Sequence, residues 1–565
     1  FCKTRNDIKS MECLLYMCIG NFREALDLID EINDQDIKLI YLIYINYILG
    51  EDITYRSLNL ISNKNQKSPL LKFLMQINET KKNNKNIKQT NIFISDMFNN
   101  ISRDVVKTLT LNGMDIEGFC TMEAGLKDEF KNIELKKVVE MQNNSIVKII
   151  VPYNSDYIQQ VRILAENGIK ECEVAIISDD KITLINIDKD LMKRIKEKEY
   201  NRTVTFNKFN AADSNIYALI KYMPEEYQKK YKLNIIYGRD VWTIENIVKV
   251  PLISNVTVSG FATFLYNYPK FTYNIDVGHN GVSLKACGMM DKKEKNSGGN
   301  QALYEKADCI CVASNFHKIV NSSFFAIPEN KYRITGLPRN DLLILGDSKL
   351  KLERLLGISL KNKTIIFNMP TFHRFDQVDR IEGSSTLNDS VKIQDFDYEK
   401  FNEFLEEHNL ICVSKVHHGE EISVTLKTKN RSYKNIWFIN NDDLDKNNLD
   451  LYEILGAGDI LITDYSTVYN DFLFMNKPII FANPDIEQYR ENRGLALEPY
   501  DFWTAGPKVR TQQALEKEIL KCKLNKNYFK KERERLFPVF FEYHDNKAVQ
   551  RTWNVIDRSL IKNMI

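Results

Sequence analysis

Short apolar strands alternate with amphipathic helices along most of the chain after residue 200. Such alternation is typical of parallel sheets whose strands are joined by crossover helices. The pattern predicts two α/β domains that face each other, at 203–345 and 346–540, and a carboxy-terminal helix at 541–565. Ligands of open parallel sheets bind beyond the carboxyl ends of the strands, so we expect a site in the cleft between the domains. The apolar runs are KLNIIYG, YNIDVG and ADCICV in the first domain and KTIIFN, NLICVS, DILIT and KPIIFAN in the second.

Composition limits the class of protein. The chain has 565 residues, 43% of them hydrophobic, which is enough for several domains with buried cores. Lys plus Arg (78) nearly balance Asp plus Glu (76), and a formal charge of +2 gives no general attraction to nucleic acid. Ten cysteines without a CxxC pair favour reduced thiols in a cytoplasmic protein. Cys309 and Cys311 lie on an apparent strand and are expected in a core.

The first 200 residues have a different pattern. Residues 1–90 contain short amphipathic helices paired around Gly20 and Gly50, which predicts either tetratricopeptide-like hairpins or a plain helical bundle. A polar tract at 79–91 predicts a linker. Residues 95–200 predict a small Rossmann-like accessory domain. It has no GxGxxG motif, so we expect a structural or docking role rather than nucleotide binding.

No segment has the length of a membrane-spanning helix. The longest apolar run, LIYLIYINYIL (39–49), is about half as long as a bilayer span requires. No signal peptide is visible. The chain begins with Phe1 rather than Met, as a fragment of a longer protein would. Any function at a membrane is therefore expected at its surface.

Polar residues follow several of the predicted strands. In DILITDYSTVYNDFLFMNKPIIF (459–481), helical spacing from Val468 places Ser466 or Thr467 at the helix N-cap or in the first turn, where free backbone N–H groups can bind an anion. An ordinary N-cap without a ligand has the same pattern.

Three histidines, His279, His417 and His418, also follow strands. One such histidine is usually structural, but several at one cleft indicate acid–base chemistry or phosphate binding.

Ordered motifs resemble the CDP-glycerol glycerophosphotransferase family, which primes and polymerises teichoic acids and related capsule polymers. The resemblance covers about 230–555 and does not include the first 200 residues. The motifs are GLPRNDLL (336–343), NMPTFHR (368–374), SKVHHG (414–419), ITDYSTVYNDFLFMNKPIIFANPDIEQYRENRG (462–494), AGPKV (505–509) and YHDNKAVQR (543–551).

The resemblance implies a GT-B fold of two facing Rossmann-like domains and transfer of glycerol phosphate from CDP-glycerol to a hydroxyl of a polyol-phosphate or glycan acceptor, with release of CMP. His279 would be the general base, and His417 would contact the donor phosphates. Ser466 and Thr467 would hold the diphosphate. The residues expected to bind the donor are Lys415, His418, Asp464, Ser466, Thr467, Asp471 and Arg493.

Several of these roles have a structural alternative. Asp464 and Asp471 would receive hydroxyl groups of the donor, but Asp464 could equally cap a turn. Arg339 and Arg493 would be charge partners of the donor or members of structural ion pairs.

The chain departs from the family's motifs at three places. Where the family has Trp-His-Gly-Thr-Pro-Leu-Lys, residues 278–285 read Gly-His-Asn-Gly-Val-Ser-Leu-Lys. Either His279 or Asn280 takes the place of the family's histidine, and we favour His279 because Asn cannot act as a base. His418 replaces the proline of Lys-x-His-Pro, and His373 or Arg374 takes the place of the arginine in Pro-Thr-Trp-Arg. These departures bear on substrate identity more than on reaction class.

No metal or other cofactor is expected. The DxD sequences at 395–397 and 443–445 lie in acidic, loop-like stretches and are expected to be solvated.

Residues 517–535 predict a basic, partly amphipathic helix, which is either a solvated face or a contact for anionic lipid or polyanionic product. We expect a peripheral location on the inner face of the bacterial plasma membrane.

Three other functions fit the sequence. The first is transfer of ribitol phosphate, or another phosphoalditol, from a CDP donor. The second is sugar transfer by a GT-B enzyme from a nucleotide sugar, with attack at the anomeric carbon. The third is a catalytically inactive binding module.

Overall fold

In the part of the chain that the structure describes, three β-sheets of seven, six and six strands follow one another. The computed structural model describes residues 91–562 with gaps, and the predicted helical region at 1–90 lies outside the described residues. The gaps are 99–102, 113, 115, 123–124, 128–129, 143–145, 179–180, 209–212, 261–270, 280, 293–305, 372, 374–382, 385–389 and 417–432. The α/β class, with several parallel sheets, is confirmed.

The first sheet covers residues 91–187 and has the strand order β3-β4-β2-β1-β5-β6-β7. Its central strands are parallel, whereas β3 and β7 pair antiparallel with β4 and β6. The strands are β1 (Asn91–Ser95), β2 (Ile116–Thr121), β3 (Gly125–Lys127), β4 (Phe130–Glu134), β5 (Val147–Pro152), β6 (Cys172–Ser178) and β7 (Lys181–Ile187). The helices are α1 (Arg103–Leu111), α2 (Leu135–Met141), α3 (Tyr157–Glu166) and α4 (Lys189–Lys196).

The second sheet forms the amino-terminal lobe (203–345), with all strands parallel in the order β13-β12-β11-β10-β8-β9. Its strands are β8 (Thr203–Lys208), β9 (Lys232–Tyr237), β10 (Val256–Ser259), β11 (Tyr273–Asp276), β12 (Cys309–Val312) and β13 (Tyr332–Ile334). Its helices are α5 (Ser214–Lys221), α6 (Glu225–Lys230), α7 (Ile244–Ile253), α8 (Asn315–Phe325) and α9 (Pro338–Leu342). Helix α7 also belongs to the core of the first sheet, to which it contributes Val248, Leu252 and Ile253.

The third sheet forms the carboxy-terminal lobe (346–540), again with all strands parallel, in the order β16-β15-β14-β17-β18-β19. Its strands are β14 (Thr364–Asn368), β15 (Leu410–Ser414), β16 (Ile436–Phe438), β17 (Ile460–Thr463), β18 (Ile479–Ala482) and β19 (Lys508–Val509). Its helices are α10 (Ser348–Leu356), α11 (Tyr398–Glu407), α12 (Asn441–Lys446), α13 (Leu451–Leu455), α14 (Val468–Phe474), α15 (Ile486–Asn492), α16 (Tyr500–Trp503), α17 (Gln512–Leu524) and α18 (Lys530–Phe540).

The central strands of both lobes are covered on their two faces. Every residue of β12, β15 and β17 is buried, and continuous apolar sequences are what a parallel sheet between two layers of helices requires. Cys309 and Cys311 are among these buried residues, as expected. One continuous core contains buried residues of both lobes, for example Val258 and Leu461. The two lobes are therefore firmly packed against each other.

Helix α19 (Ala548–Lys562) follows the carboxy-terminal lobe in sequence but packs on the amino-terminal lobe. Trp553 is fully buried, stacks on Tyr227 and Tyr231, and donates from Nε1 to Leu219 O at 3.0 Å. The Asp341 carboxylate accepts hydrogen bonds from the backbone N–H groups that begin the helix, Ala548 (3.1 Å) and Val549 (2.8 Å). The helix thus completes a lobe whose strands end more than two hundred residues earlier.

The structure differs from the sequence-based expectations at two surface segments. The single helix predicted at 517–535 is wrong. Helix α17 ends at Leu524, where the backbone of Asn525 is extended, and α18 begins at Lys530, after Phe529 with a left-handed backbone of φ +56°. The acidic DxD sequences form helix starts. Asp397 is the N-cap of α11, and Asp443 takes part in a capping box with Asn440 at the start of α12. Among the described residues, no helix has the length and apolar character needed to cross a membrane.

A buried carboxylate joins the lobes on α13. The Glu453 side chain is 0% exposed and accepts hydrogen bonds from Tyr217 (2.6 Å) and Tyr222 (2.6 Å) of the amino-terminal lobe. It also pairs with Lys221 and Lys351, each at 3.0 Å. Burial alone would raise the pKa of Glu453, but the hydrogen bonds from Tyr217, Tyr222 and Lys351 outweigh it and lower the pKa from 4.5 to about 2.

This cluster predicts a pH-dependent contribution to stability. Because the folded-state pKa of Glu453 lies below the unfolded value, its contribution is complete above pH 4.5 and is lost as the pH falls toward 2. We therefore expect the difference in the free energy of unfolding between the wild type and Glu453→Gln to be constant above about pH 5 and to shrink below it. Urea titrations at several pH values measure this difference.

Glu225→Gln is the control for that titration. Glu225 is 80% exposed and pairs with Lys229 on the surface, so its replacement should change the free energy of unfolding by less than about 1 kcal/mol at any pH. A difference between wild type and Glu453→Gln that stayed constant down to pH 2 would contradict the prediction.

Candidate functional site

The loop that leaves β11 lies between the two lobes, and we call residues 277–292 the bridging loop. The loop begins with a tight turn in which Gly278 has φ +74° and its N–H donates to the Asp276 carboxylate at 2.8 Å. Burial raises the pKa of Asp276 to about 7. His279 follows this turn directly, and its side chain is exposed. His279 therefore lies just beyond the carboxyl end of β11, at the edge of the sheet where ligands of parallel sheets bind.

The amino-terminal lobe holds the start of the bridging loop by its backbone. Asn215, on α5, donates from Nδ2 to Val277 O (3.2 Å) and Gly278 O (2.8 Å). Arg339, on α9, donates from Nη1 to His279 O at 2.6 Å. These contacts fix the main chain that carries the imidazole.

The carboxy-terminal lobe holds the next part of the loop. Asn470, in the first turn of α14, donates from Nδ2 to Val282 O at 2.7 Å. A Cβ at Gly281 would lie 2.7 Å from that nitrogen, so the loop approaches α14 more closely than any side chain would allow. Lys285 Nζ donates to Thr371 Oγ1, after β14, at 2.9 Å. The loop that carries His279 therefore packs on the helix that follows Ser466 and Thr467.

Arg493 closes the far end of the bridging loop. Its guanidinium donates from Nε to Ala286 O at 2.9 Å and pairs with Asp291 at 3.0 Å. Backbone hydrogen bonds from Ala286 N to Gly494 O (3.0 Å) and from Ala496 N to Leu284 O (2.9 Å) lie beside it. Of the two roles that the sequence left open for Arg493, the structure shows the ion pair.

Asp464 organises the turn between β17 and α14. One of its carboxylate oxygens accepts from the backbone N–H groups of Thr371 (2.8 Å), Tyr465 (2.5 Å) and Ser466 (3.1 Å). The other lies 3.3 Å from His373 Nε2. Asp464 is buried (1% exposed) and caps this turn, which is the alternative role that the sequence left open.

Ser466 and Thr467 are half-buried at the start of α14, with Thr467 at the N-cap position. The turn beneath them is braced by His373, whose ring nitrogens lie 3.3 Å from Asp464 and 3.2 Å from Asp485. The position of the two residues is therefore set by a buried network and by the helix that begins after them.

The structure does not support donor binding by Asp471. The carboxylate is fully buried and accepts from Arg339 Nε (3.2 Å), Asn340 Nδ2 (2.8 Å) and Tyr452 Oη (2.7 Å). A carboxylate enclosed in this way has no face left for a hydroxyl group of a ligand, so Asp471 is an internal anchor. Arg339, 5% exposed, is its ion-pair partner.

Of the other predicted site residues, the structure describes Lys415 but not the remaining four. Lys415 follows β15 and is 7% exposed, and its backbone N–H donates to Asn368 O at 3.0 Å across the sheet. Asn280, Arg374, His417 and His418 lie outside the described residues. Among the described residues, no group of three or more His, Cys, Asp or Glu side chains could hold a metal ion. The expectation that no metal is used stays a prediction.

Sequence reasoning missed several residues of the site. Asn215 lies on α5 with no motif around it, and Asp485 and Asn470 lie inside a recognised motif without being chosen. Each acts through a partner that is distant in sequence: Asn215 binds a loop 62 residues away, and Asn470 binds one 188 residues away. Buried Asn and Asp residues at strand and helix ends were the available signal, but such residues also occur as ordinary caps.

Comparison with known proteins gives several curated relatives. The teichoic acid glycerol-phosphate primase of Bacillus subtilis (strain 168) is 26% identical over 299 residues, which cover 48% of this chain and 72% of the primase. The teichoic acid poly(glycerol phosphate) polymerase of Bacillus spizizenii is 34% identical over 197 residues, or 34% of this chain and 44% of the polymerase. The teichoic acid ribitol-phosphate polymerase TarL of Staphylococcus aureus is 25% identical, covering 58% of this chain and 57% of TarL. The chain thus spans about half the length of the two polymerases.

A solved structure and a family model complete the comparison. The wall teichoic acid polymerase TagF matches with a TM-score of 0.52 and 19% identity, over 66% of this chain and 94% of the TagF chain. At this identity the likeness shows the fold alone. The model of the CDP-glycerol:poly(glycerophosphate) glycerophosphotransferase family matches residues 190–558, which include both lobes, the bridging loop and most of α19. This chain therefore belongs to the CDP-glycerol:poly(glycerophosphate) glycerophosphotransferase family of enzymes.

Proposed function

We propose that the enzyme transfers glycerol phosphate from CDP-glycerol to a hydroxyl of a polyol-phosphate or glycan acceptor and releases CMP. The observation that carries the proposal is the packing of the bridging loop, with the His279 side chain exposed, against the first turn of α14. This packing supports a site in which a base and the donor-binding hydroxyls act on one substrate. The two lobes, each built on a sheet of parallel strands, support the GT-B arrangement for that site.

In the proposed reaction the acceptor hydroxyl attacks the phosphorus that carries glycerol. His279 takes the proton of the hydroxyl as the new P–O bond forms, and the bond from that phosphorus to the CMP oxygen breaks. CMP leaves with the bonding electron pair. Such a reaction needs positioning and stabilisation of charge on the phosphate oxygens more than covalent help from the protein. Ser466 and Thr467 would donate to the diphosphate, and Lys415 and His417 would supply positive charge there.

Transfer of ribitol phosphate from a CDP donor is the second candidate. It is favoured by the similarity to TarL, a ribitol-phosphate polymerase. The two reactions share the nucleotide, the leaving group and the attack at phosphorus, and they differ only in the alditol. A lipid-linked acceptor and a peripheral position on the inner face of the plasma membrane belong to the same proposal.

A nucleotide-release assay tests the proposal. The protein is incubated with CDP-glycerol, CDP-ribitol or UDP-sugars and a lipid-like glycerol phosphate primer, and release of CMP or UDP is measured with and without the primer. We expect primer-dependent release of CMP from CDP-glycerol. CMP from CDP-ribitol alone would select the second candidate. UDP alone would show a sugar transferase, and no nucleotide release with any donor would favour a binding module.

A further inference from the structure

One buried guanidinium joins the backbone of the proposed base to the helix that follows the proposed donor hydroxyls. We infer that Arg339 is a positioning residue, which together with Asp471 sets the place of His279 relative to Ser466 and Thr467. The inference rests on the proposed function, in which His279 is the base. It gives Arg339 a role other than contact with the donor.

The geometry of the guanidinium carries the inference. Nε lies 3.2 Å from Asp471 Oδ1 and Nη2 lies 3.4 Å from Asp471 Oδ2, while Nη1 donates to His279 O at 2.6 Å. The guanidinium is planar and rigid, so the direction of one of these contacts determines the direction of the others. A shift of α14, which carries Asp471, is therefore transmitted to the main chain of His279.

Both ends of this connection are held by further contacts. Asn340 and Tyr452 fix the Asp471 carboxylate from two sides. Asn215 accepts from Arg339 N at 3.0 Å and donates to the two carbonyl groups that precede His279. The guanidinium lies between two anchored groups, one in each lobe, and has little freedom to move.

The charge of Arg339 is maintained in this buried position. Burial disfavours the charged guanidinium, but the nearby Asp471 carboxylate and Tyr452 outweigh burial and raise the pKa of Arg339. All three guanidinium nitrogens face acceptors within the protein. The side chain therefore acts on the reaction through His279.

Two variants and one control test the role of Arg339. Arg339→Lys keeps the positive charge opposite Asp471 but cannot span both acceptors, and Asn215→Ala removes the second anchor without leaving a buried charge unpaired. Tyr222→Phe, the control, removes a 2.6 Å hydrogen bond between the lobes that touches neither the bridging loop nor α14. The steady-state rate of CMP release from CDP-glycerol and the dissociation constant for CDP are measured for each protein.

We expect Arg339→Lys and Asn215→Ala to lower kcat by roughly 10- to 100-fold, because a displacement of about 1 Å can cost that much. The dissociation constant for CDP should stay within about threefold of the wild-type value, because neither side chain contacts the donor. Tyr222→Phe should keep the wild-type kcat. When either substitution is combined with His279→Ala, the residual rate should fall no further, because the effect passes through the missing imidazole.

Two results would overturn the inference while leaving the base assignment in place. One is a kcat for both Arg339→Lys and Asn215→Ala as high as that of Tyr222→Phe. The other is a further loss in the His279→Ala background by the same factor as in the wild type, which would show an effect independent of His279. If His279→Ala itself kept full activity, the base assignment would fail, and this inference with it. An inactive His279→Ala together with an active Arg339→Lys and Asn215→Ala would reject the positioning role alone.

Discussion

Replacing His279 with alanine is expected to lower the rate of CMP release from CDP-glycerol by roughly 10²- to 10⁴-fold, the contribution typical of a general base. The fold should survive, because the side chain is exposed and Arg339 binds the backbone oxygen, which alanine retains. The loss should therefore appear in kcat with little change in the melting temperature. Steady-state kinetics and thermal unfolding of the same preparation measure both quantities.

His408→Ala is the matched control for that experiment. His408 ends α11, and its ring packs edge-on against Phe404 with centroids 4.9 Å apart. It precedes β15 and so lies at the edge of the sheet opposite the cleft. We expect wild-type activity from this variant. If His279→Ala and His408→Ala had equal rates, His279 would not be the base, and Asn280 or another group would need to be examined.

Replacing Asp471 with alanine is expected to lower the free energy of unfolding by about 3–5 kcal/mol, the usual cost of removing one partner of a buried ion pair. The substitution leaves the Arg339 charge at 5% exposure without its carboxylate. It also removes the acceptor for Asn340 and Tyr452. Urea denaturation followed by intrinsic fluorescence measures the change.

An ion pair whose carboxylate is half-exposed provides the comparison. Asp347 is 50% exposed and pairs with Lys351 at 3.0 Å, so Asp347→Ala should cost less than about 1 kcal/mol. Replacing both buried partners, as in Arg339→Met with Asp471→Leu, should recover much of the loss, because no unpaired charge then remains. Equal costs for Asp471→Ala and Asp347→Ala would contradict the buried pairing.

The strands were predictable because burial on both faces leaves a strong local signal. The run DILIT became β17 (Ile460–Thr463), and KTIIFN became β14 (Thr364–Asn368). Continuous apolar residues bounded by polar ones determine such strands without reference to distant parts of the chain. The helix start after Thr467 followed from the same kind of local pattern.

The roles of the charged residues were much less predictable. Asp471 and Arg339 are 132 residues apart, and only the folded chain shows that they neutralise each other. Arg493 and Asp291 are likewise paired across the lobes. The sequence marks such residues as charged and near motifs, but an internal ion pair and a ligand contact have the same local pattern. The break between α17 and α18 was missed because a left-handed phenylalanine has no sequence signal of its own.

The position of α19 has a consequence for biosynthesis. Until residues 548–562 have emerged from the ribosome, the core of the amino-terminal lobe lacks Trp553. The Asp341 carboxylate also lacks the backbone N–H groups at the start of α19 that it binds in the folded protein. At about 5–20 residues per second, translating the intervening carboxy-terminal lobe takes on the order of 10–40 s. During that interval Phe206, Tyr227 and Tyr231 of the nascent amino-terminal lobe lack the indole ring that packs against them in the folded protein.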